Sequence, residues 1–542
     1  MGGRVPADVR LFLWMMAAWV PARLAQTAPI VTMYVDGGYY AEVAQHVRDG
    51  EGLVSDVSLY HFGYPSFPYP TSVYPLWPWV LGMCGRVLDL HATSHWLPVL
   101  LSFGAVAAAF GFGRAWWPEP VFPRELPGLH AGHVFALGLA VQTEFVFFSS
   151  LPYTEPLAFL LLFLFLWRVV HKGADTGLGW AVEAGCWLGL LYLSRFQFLV
   201  APMAMATAYA ARLALEPRWP LARHAAVSLA VTTGWIGGWW LHLTTFVAHP
   251  TLGSLLRFDQ NRANDLLGPI DVIVENEGPL DLLLDRALGV IVAWDPISGA
   301  SYTSSFHTMH WALPLAIPFA VGAARDLVRQ VGWRGVLARL RAPGAAAGWF
   351  VTVFALGALL SVHAIHKHYN GSWYFATRQG LMSLPAFLLP MAWLVRQASP
   401  LARTFGVVIL GSTLVIGAHT VARHVAEPQE ELLTDERHAE LVGWLDARAA
   451  ERGGRVVVAM DSAQVQRVAW RTTGVGYHWV WTHTSYADFL TMCDTLGAEY
   501  VVLRRQALGG SWAFLEDRER LARDFVQLPD PPDGQVVFQR RR

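Results

Sequence analysis

LFLWMMAAWVPARLAQTAPIVTMYVDGGYYAEVAQHVRDGEGLVSDV, residues 11–57, carries the decision about the fold. Its first part, to Met33, is an apolar run long enough to cross ~30 Å of hydrocarbon as a helix. The character reverses at Asp36. A short helix is predicted from Tyr39 to Arg48, ending at Asp49-Gly50. A span thus hands a charged, structured segment to one membrane surface.

Apolar runs of similar kind recur near 96–113, 131–150, 155–170, 178–194, 196–211, 224–246, 306–322, 346–363, 379–395 and 404–421. The expected architecture is an α-helical polytopic membrane protein with about eleven transmembrane helices. Residues 74–90 are also apolar but rich in Pro and Trp, and are predicted to lie along the surface without crossing. Composition agrees. Charged residues are 15%, below the quarter usual in soluble domains, and mean hydropathy is +0.34. The 25 Trp suit two membrane interfaces. A net charge of −1 argues against a nucleic-acid partner. Cys84, Cys186 and Cys493 are too few and too scattered for a disulfide framework or a zinc site.

Loop charges set the orientation. With the N-terminus inside, the inner segments carry roughly double the Lys and Arg of the outer ones, which predicts N-in and C-out. Counting 74–90 as a span would invert the later loops and destroy this bias. Leu11–Val20 has the length of a signal-peptide core, but Arg23 and Gln26 interrupt the place of a cleavage site, so the run is read as a retained span. Two outer loops are long, 34–95 and 247–305, and loops of that length are usually functional. After about 425 the pattern changes. An amphipathic helix is predicted over 431–452 and strands over 455–460, 499–503 and 535–539. The division expected is a bundle over 1–424 and a small extracytoplasmic α/β domain over 425–542.

The same topology gathers charges at one face. Asp36 follows the first span. Glu155-Pro156 opens the fourth, Arg195 sits between the fifth and sixth, and Lys367 and Arg378 lie on a late outer turn. Ionisable groups at a bilayer edge are costly unless used or paired. A carboxylate that takes a proton, with cations that hold a leaving phosphate, suits attack on a phosphate-activated centre. Each residue also has a plainer reading. Asp36 caps its helix. Arg195 and Arg378 snorkel, and Lys367 contacts headgroups. Arg23 snorkels or pairs within the bundle. His363, His366 and His368 have metal-ligand chemistry, but their spacing converges poorly. Asp259, Glu275 and Glu277 form a solvated face.

The order of motifs resembles the GT-C membrane glycosyltransferases, of the protein-mannosyltransferase and lipid A aminoarabinose-transferase type. Asp36 is followed by Tyr40 and Ala44, then Gly50-Glu51-Gly52. Tyr69-Pro70 and Tyr74-Pro75-Leu76 match a Tyr/Pro stretch. Tyr153-Thr154-Glu155-Pro156, Leu193-Ser194-Arg195 and the run from Arg378 to Pro385 match the later motifs. The resemblance covers about 30–400. It implies a sugar donor linked to a polyprenyl phosphate, used at the outer face of the plasma (inner) membrane. It implies Asp36 as the catalytic carboxylate, activating an acceptor hydroxyl or binding a divalent cation such as Mg or Mn. Glu155 would line the same catalytic pocket with Tyr40 and Tyr74. Arg195, Lys367 and Arg378 would bind the donor phosphate. Asp36-Gly37 stands where relatives commonly carry Asp-Glu, leaving one carboxylate in place of two. The acceptor class is open: protein, glycolipid or polysaccharide. Two rivals are a secondary transporter, which would show related halves, and a scaffold displaying the α/β domain. Neither needs charges gathered at one face beside two long loops.

Overall fold

The structure, a computed structural model, describes residues 5–30, 36–58, 67–122 apart from Ser72, 126–172, 176–243 apart from Glu216, parts of 321–354, and most of 384–426 and 436–541. The first helices are α1 (Ala7–Thr27), α2 (Asp36–Asp49), α3 (Leu76–Gly85) and α4 (Leu90–Trp116). Then come α5 (Ala131–Ala140), α6 (Thr143–Phe148), α7 (Glu155–Lys172), α8 (Leu178–Ser194), α9 (Val200–Leu215) and α10 (Trp219–His242). Later in the chain lie α11 (Leu384–Leu394) and α12 (Pro400–Ala426). Among the described residues, α4 is the helix long and apolar enough to cross a bilayer by length and composition. Its buried face packs with α5 and α7 around Phe112, Phe135 and Phe163.

The run expected as one span over 131–150 is two helices. It breaks at Val141–Gln142, where Gln142 turns extended with its side chain fully buried. The α12 backbone presses there: a Cβ on Gly417 would lie 2.1 Å from the Val141 carbonyl oxygen. Within 74–90 the helix is α3, whose 10 residues span about 15 Å, half a bilayer core. Arg23 is fully buried inside the bundle. Its guanidinium donates to Ser149 Oγ at 2.8 Å and Ser150 Oγ at 3.1 Å, and also to Gln26. It pairs within the bundle.

Strands β1 (Val54–Ser55), β2 (Val57–Ser58) and β3 (Tyr69–Pro70) belong to the segment after α2. A short hairpin, β4 (Pro120–Phe122) and β5 (Leu126–His130), follows α4. The later strands are β6 (Val456–Met460), β7 (Val475–Trp479), β8 (Tyr500–Arg504), β9 (Phe525–Gln527) and β10 (Gln535–Arg540). They build one mixed sheet in the order β2-β7-β6-β8-β10-β9. The first four strands run parallel and the last two pair antiparallel. Helices α13 (Glu436–Arg452), α14 (Tyr486–Leu496) and α15 (Arg518–Asp524) cover it. One edge strand, β2, comes from the 1–424 stretch expected to form the bundle: Val57 pairs with Tyr477, and the Tyr477 N–H donates to the Asp56 carbonyl at 2.7 Å.

Helix α2 lies between the two cores. Tyr39 and Val43 are buried with Leu445, Val458 and Tyr477 under the sheet. Ala44, one residue on, is buried with Trp77 and Leu81 of α3. Gly82 makes the second contact close: a Cβ there would meet the Ala44 carbonyl oxygen at 2.6 Å and Val47 Cβ at 2.7 Å. Neither obstacle is a flexible chain end. Gly82→Ala is therefore expected to cost about 1–3 kcal/mol through overpacking, read as a lower melting temperature of the purified protein.

Candidate active site

The start of α2 is fixed against the loop that leads into α7. A Cβ on Gly37 would lie 3.1 Å from Pro152 and 3.3 Å from the Tyr153 ring. Trp77 Nε1 donates to the Pro152 carbonyl at 2.8 Å. Tyr40 meets Tyr153 edge to face at 6.3 Å. These contacts bring the segment bearing Asp36 and Tyr40 beside the turn Pro152–Glu155.

Glu155, the first residue of α7, is fully buried. Arg195 follows the last turn of α8 in extended backbone and is also buried. Its Nη1 donates to Glu155 Oε1, closing an ion pair. Thr154 Oγ1 donates to the other carboxylate oxygen at 3.3 Å. A buried charge needs its partner, because the desolvation cost of each ion is several kcal/mol. So the structure joins two of the residues singled out in the sequence, which lie forty positions apart. Two residues before Arg195 in the chain, Leu193 lines a cavity of about 440 Å³ together with Leu53, Pro75, Trp235, Trp239 and His242. Tyr74 stands at its border, 5.7 Å from Tyr192 and 6.3 Å from Trp239. Tyr192 is fixed in turn by the Trp240 indole, at 2.9 Å from its hydroxyl.

Lys367 and Arg378 lie outside the described residues, as do His363, His366, His368, Asp259, Glu275 and Glu277.

A second group of titratable side chains lies further along α2. Glu42, His46 and Asp56 bring one ligand atom each to within 4.8 Å of one another. Among the described residues these three form the group of His, Cys, Asp and Glu side chains whose ligand atoms converge in this way, and Asp36 is not one of them. Burial opposes charging of His46, but hydrogen bonds to Asp56, Glu42 and Glu51 outweigh it and raise its pKa to about 11. These residues are not among those singled out from the sequence. The spacing of Glu42 and His46, four apart on a helix and so on one face, was the signal available. Asp56 and its partner Arg455 carry no local signal, being 399 residues apart.

By sequence, neither a family model nor a curated protein matches the chain. Solved structures do match by fold. The oligosaccharyltransferase of Archaeoglobus fulgidus in its apo form aligns with a TM-score of 0.55 and 13% identity, over 98% of this chain and 74% of that one. The archaeal oligosaccharyltransferase AglB of the same organism, in complex with an inhibitory peptide and a dolichol-phosphate, aligns at 0.53 and 12%, with the same coverage. ArnT from Cupriavidus metallidurans bound to undecaprenyl phosphate aligns at 0.53 and 13%, over 97% of both chains. The likeness runs over nearly the whole chain, and this chain shares the overall fold of these oligosaccharyltransferase and ArnT structures.

Proposed function

We propose that this chain is an inverting glycosyltransferase that moves a sugar from a polyprenyl-phosphate-linked donor to an acceptor hydroxyl. Its bundle crosses the plasma (inner) membrane with about eleven helices, N-in and C-out, and the site and the C-terminal sheet face outward. The observation that carries the reading is the buried Glu155–Arg195 pair beside the start of α2. A guanidinium carries five N–H donors in a planar fork, a geometry suited to binding a phosphate as well as the Glu155 carboxylate. Structures of the same fold are recorded with a dolichol-phosphate and with undecaprenyl phosphate.

In this reading the first isoprene units occupy the apolar cavity lined by Leu193, Trp235 and Trp239, and the phosphate rests against Arg195. Lys367 and Arg378 add positive charge to the same group. Asp36 takes the proton from the acceptor hydroxyl as that oxygen attacks the anomeric carbon. The bond from that carbon to the phosphate oxygen breaks, and its electron pair leaves on the lipid phosphate. Arg195 stabilises the charge that develops there. Glu155 positions Arg195. Tyr40 and Tyr74 shape the two sides of the pocket.

A single displacement from the face opposite the phosphate inverts the anomeric configuration. The expected result is a product whose anomeric configuration is opposite to that of the donor, read by proton NMR of the isolated product. Retention would rule out a single displacement from the opposite face.

A further inference from the structure

Glu42, His46 and Asp56 form a cluster that the transfer chemistry leaves unused. Helix α2 ends in a hydrogen-bond pattern that explains why the cluster forms. The Gly50 N–H donates to the Val47 carbonyl and the Glu51 N–H to the His46 carbonyl, with Gly50 in the left-handed region at φ 88°. This is the double bond of a Schellman cap, and it folds Glu51 back over His46. His46 Nδ1 then lies 2.5 Å from Glu51 Oε2. Its other nitrogen, Nε2, lies 3.0 Å from Glu42 Oε1 and 3.5 Å from Asp56 Oδ2.

An imidazole that gives its Nδ1 proton to a carboxylate presents a lone pair on Nε2, the arrangement that commonly backs a metal-bound histidine. With the ring neutral, that nitrogen faces two carboxylate oxygens, and the three ligand atoms lie within 4.8 Å of one another. Donors bound at about 2.0–2.2 Å on a tetrahedron sit about 3.3–3.6 Å apart, close to the separations seen.

Each ligand is also held from behind. Ser55 Oγ donates to Glu42 Oε2 at 2.8 Å, and the Asp56 N–H donates to Glu42 Oε1 at 2.5 Å. Asp56 Oδ1 is ion-paired with Arg455 of the sheet. With His46 neutral, the carboxylates of Glu42, Glu51 and Asp56 against the one guanidinium of Arg455 leave two negative charges. A proton on His46 offsets one of them, and a divalent cation offsets both.

We propose that Glu42, His46 and Asp56 bind a divalent transition-metal ion, zinc by preference, which clamps the C-terminal half of α2 to the strand that joins it to the sheet. The imidazole ligand favours zinc over magnesium. Three protein ligands leave a fourth position for water. The proposal does not depend on the glycosyl-transfer reading, since binding is measured without donor or acceptor.

The test uses the full-length protein in lipid, stripped with a chelator and then titrated with Zn²⁺, Mn²⁺ or Mg²⁺. Bound metal is counted by mass spectrometry after desalting, and the melting temperature is followed in parallel. One zinc per chain is expected, with a higher melting temperature and little retention of magnesium. Glu51→Gln changes a half-exposed residue that supports His46 without being a ligand, so the variant should fold. It is expected to weaken zinc binding about 10–100-fold, and His46→Asn to abolish it. Wild-type protein that retains no zinc and whose melting temperature does not move would overturn the site and leave a protonated His46 at its centre. Zinc bound equally by wild type, Glu51→Gln and His46→Asn would overturn it too, and would send the metal to another cluster such as His363, His366 and His368.

Discussion

Asp36→Asn protein is expected to fold as the wild type does and to transfer sugar about 10²–10⁴-fold more slowly. The substitution separates the two readings of this residue. Asp36 opens α2, and asparagine caps a helix about as well as aspartate. A residue that only capped would therefore tolerate the change. A residue that accepts a proton cannot, because the amide has no basic oxygen at neutral pH. The loss should fall on kcat, with the KM for donor little changed, since a proton transfer in the transition state is what has been removed. Equal rates for the two proteins would leave Asp36 as a cap and move the base elsewhere.

Glu155→Ala should cost about 3–5 kcal/mol of stability, because it removes the carboxylate ion-paired with the buried Arg195. Removing both charges is a different experiment. A Glu155→Leu, Arg195→Met double variant replaces the pair with apolar groups of similar size and should recover most of that loss. Activity should not recover with it. Transfer needs a cation at Arg195, so the double variant is expected to be stable and inactive. Unfolding in detergent gives the stability and donor turnover gives the activity. A double variant that regained transfer would assign the pair to folding alone.

Some of this was legible in the sequence, and the reasons are physical. The stop of α2 at Asp49-Gly50 could be read because a left-handed residue at a helix end is local chemistry. The strands at 456–460, 500–504 and 535–540 follow from short apolar, β-branched runs between turn signals. Glu155 and Arg195 could be singled out because charge at a bilayer edge is conspicuous against apolar flanks. Their pairing could not, since nothing in either segment names the other. The break at Val141–Gln142 lies where the α12 backbone approaches from far along the chain, and the apolar run itself carries no local signal for it. Strand β2 has two residues, and it is a strand because β7 lies beside it. The group around His46 escaped for the same reason. Glu42 and His46 share a helix face, but Asp56 and Arg455 complete the set only after the sheet has docked.

The measurement that tests the central claim most directly is release of polyprenyl phosphate by the purified protein in lipid. It would be offered a panel of polyprenyl-phosphate sugars, with a cell-envelope extract as acceptor. The account predicts release from at least one donor, dependent on acceptor and lost with Asp36→Asn. Folded protein that releases nothing from any donor in the panel would contradict it.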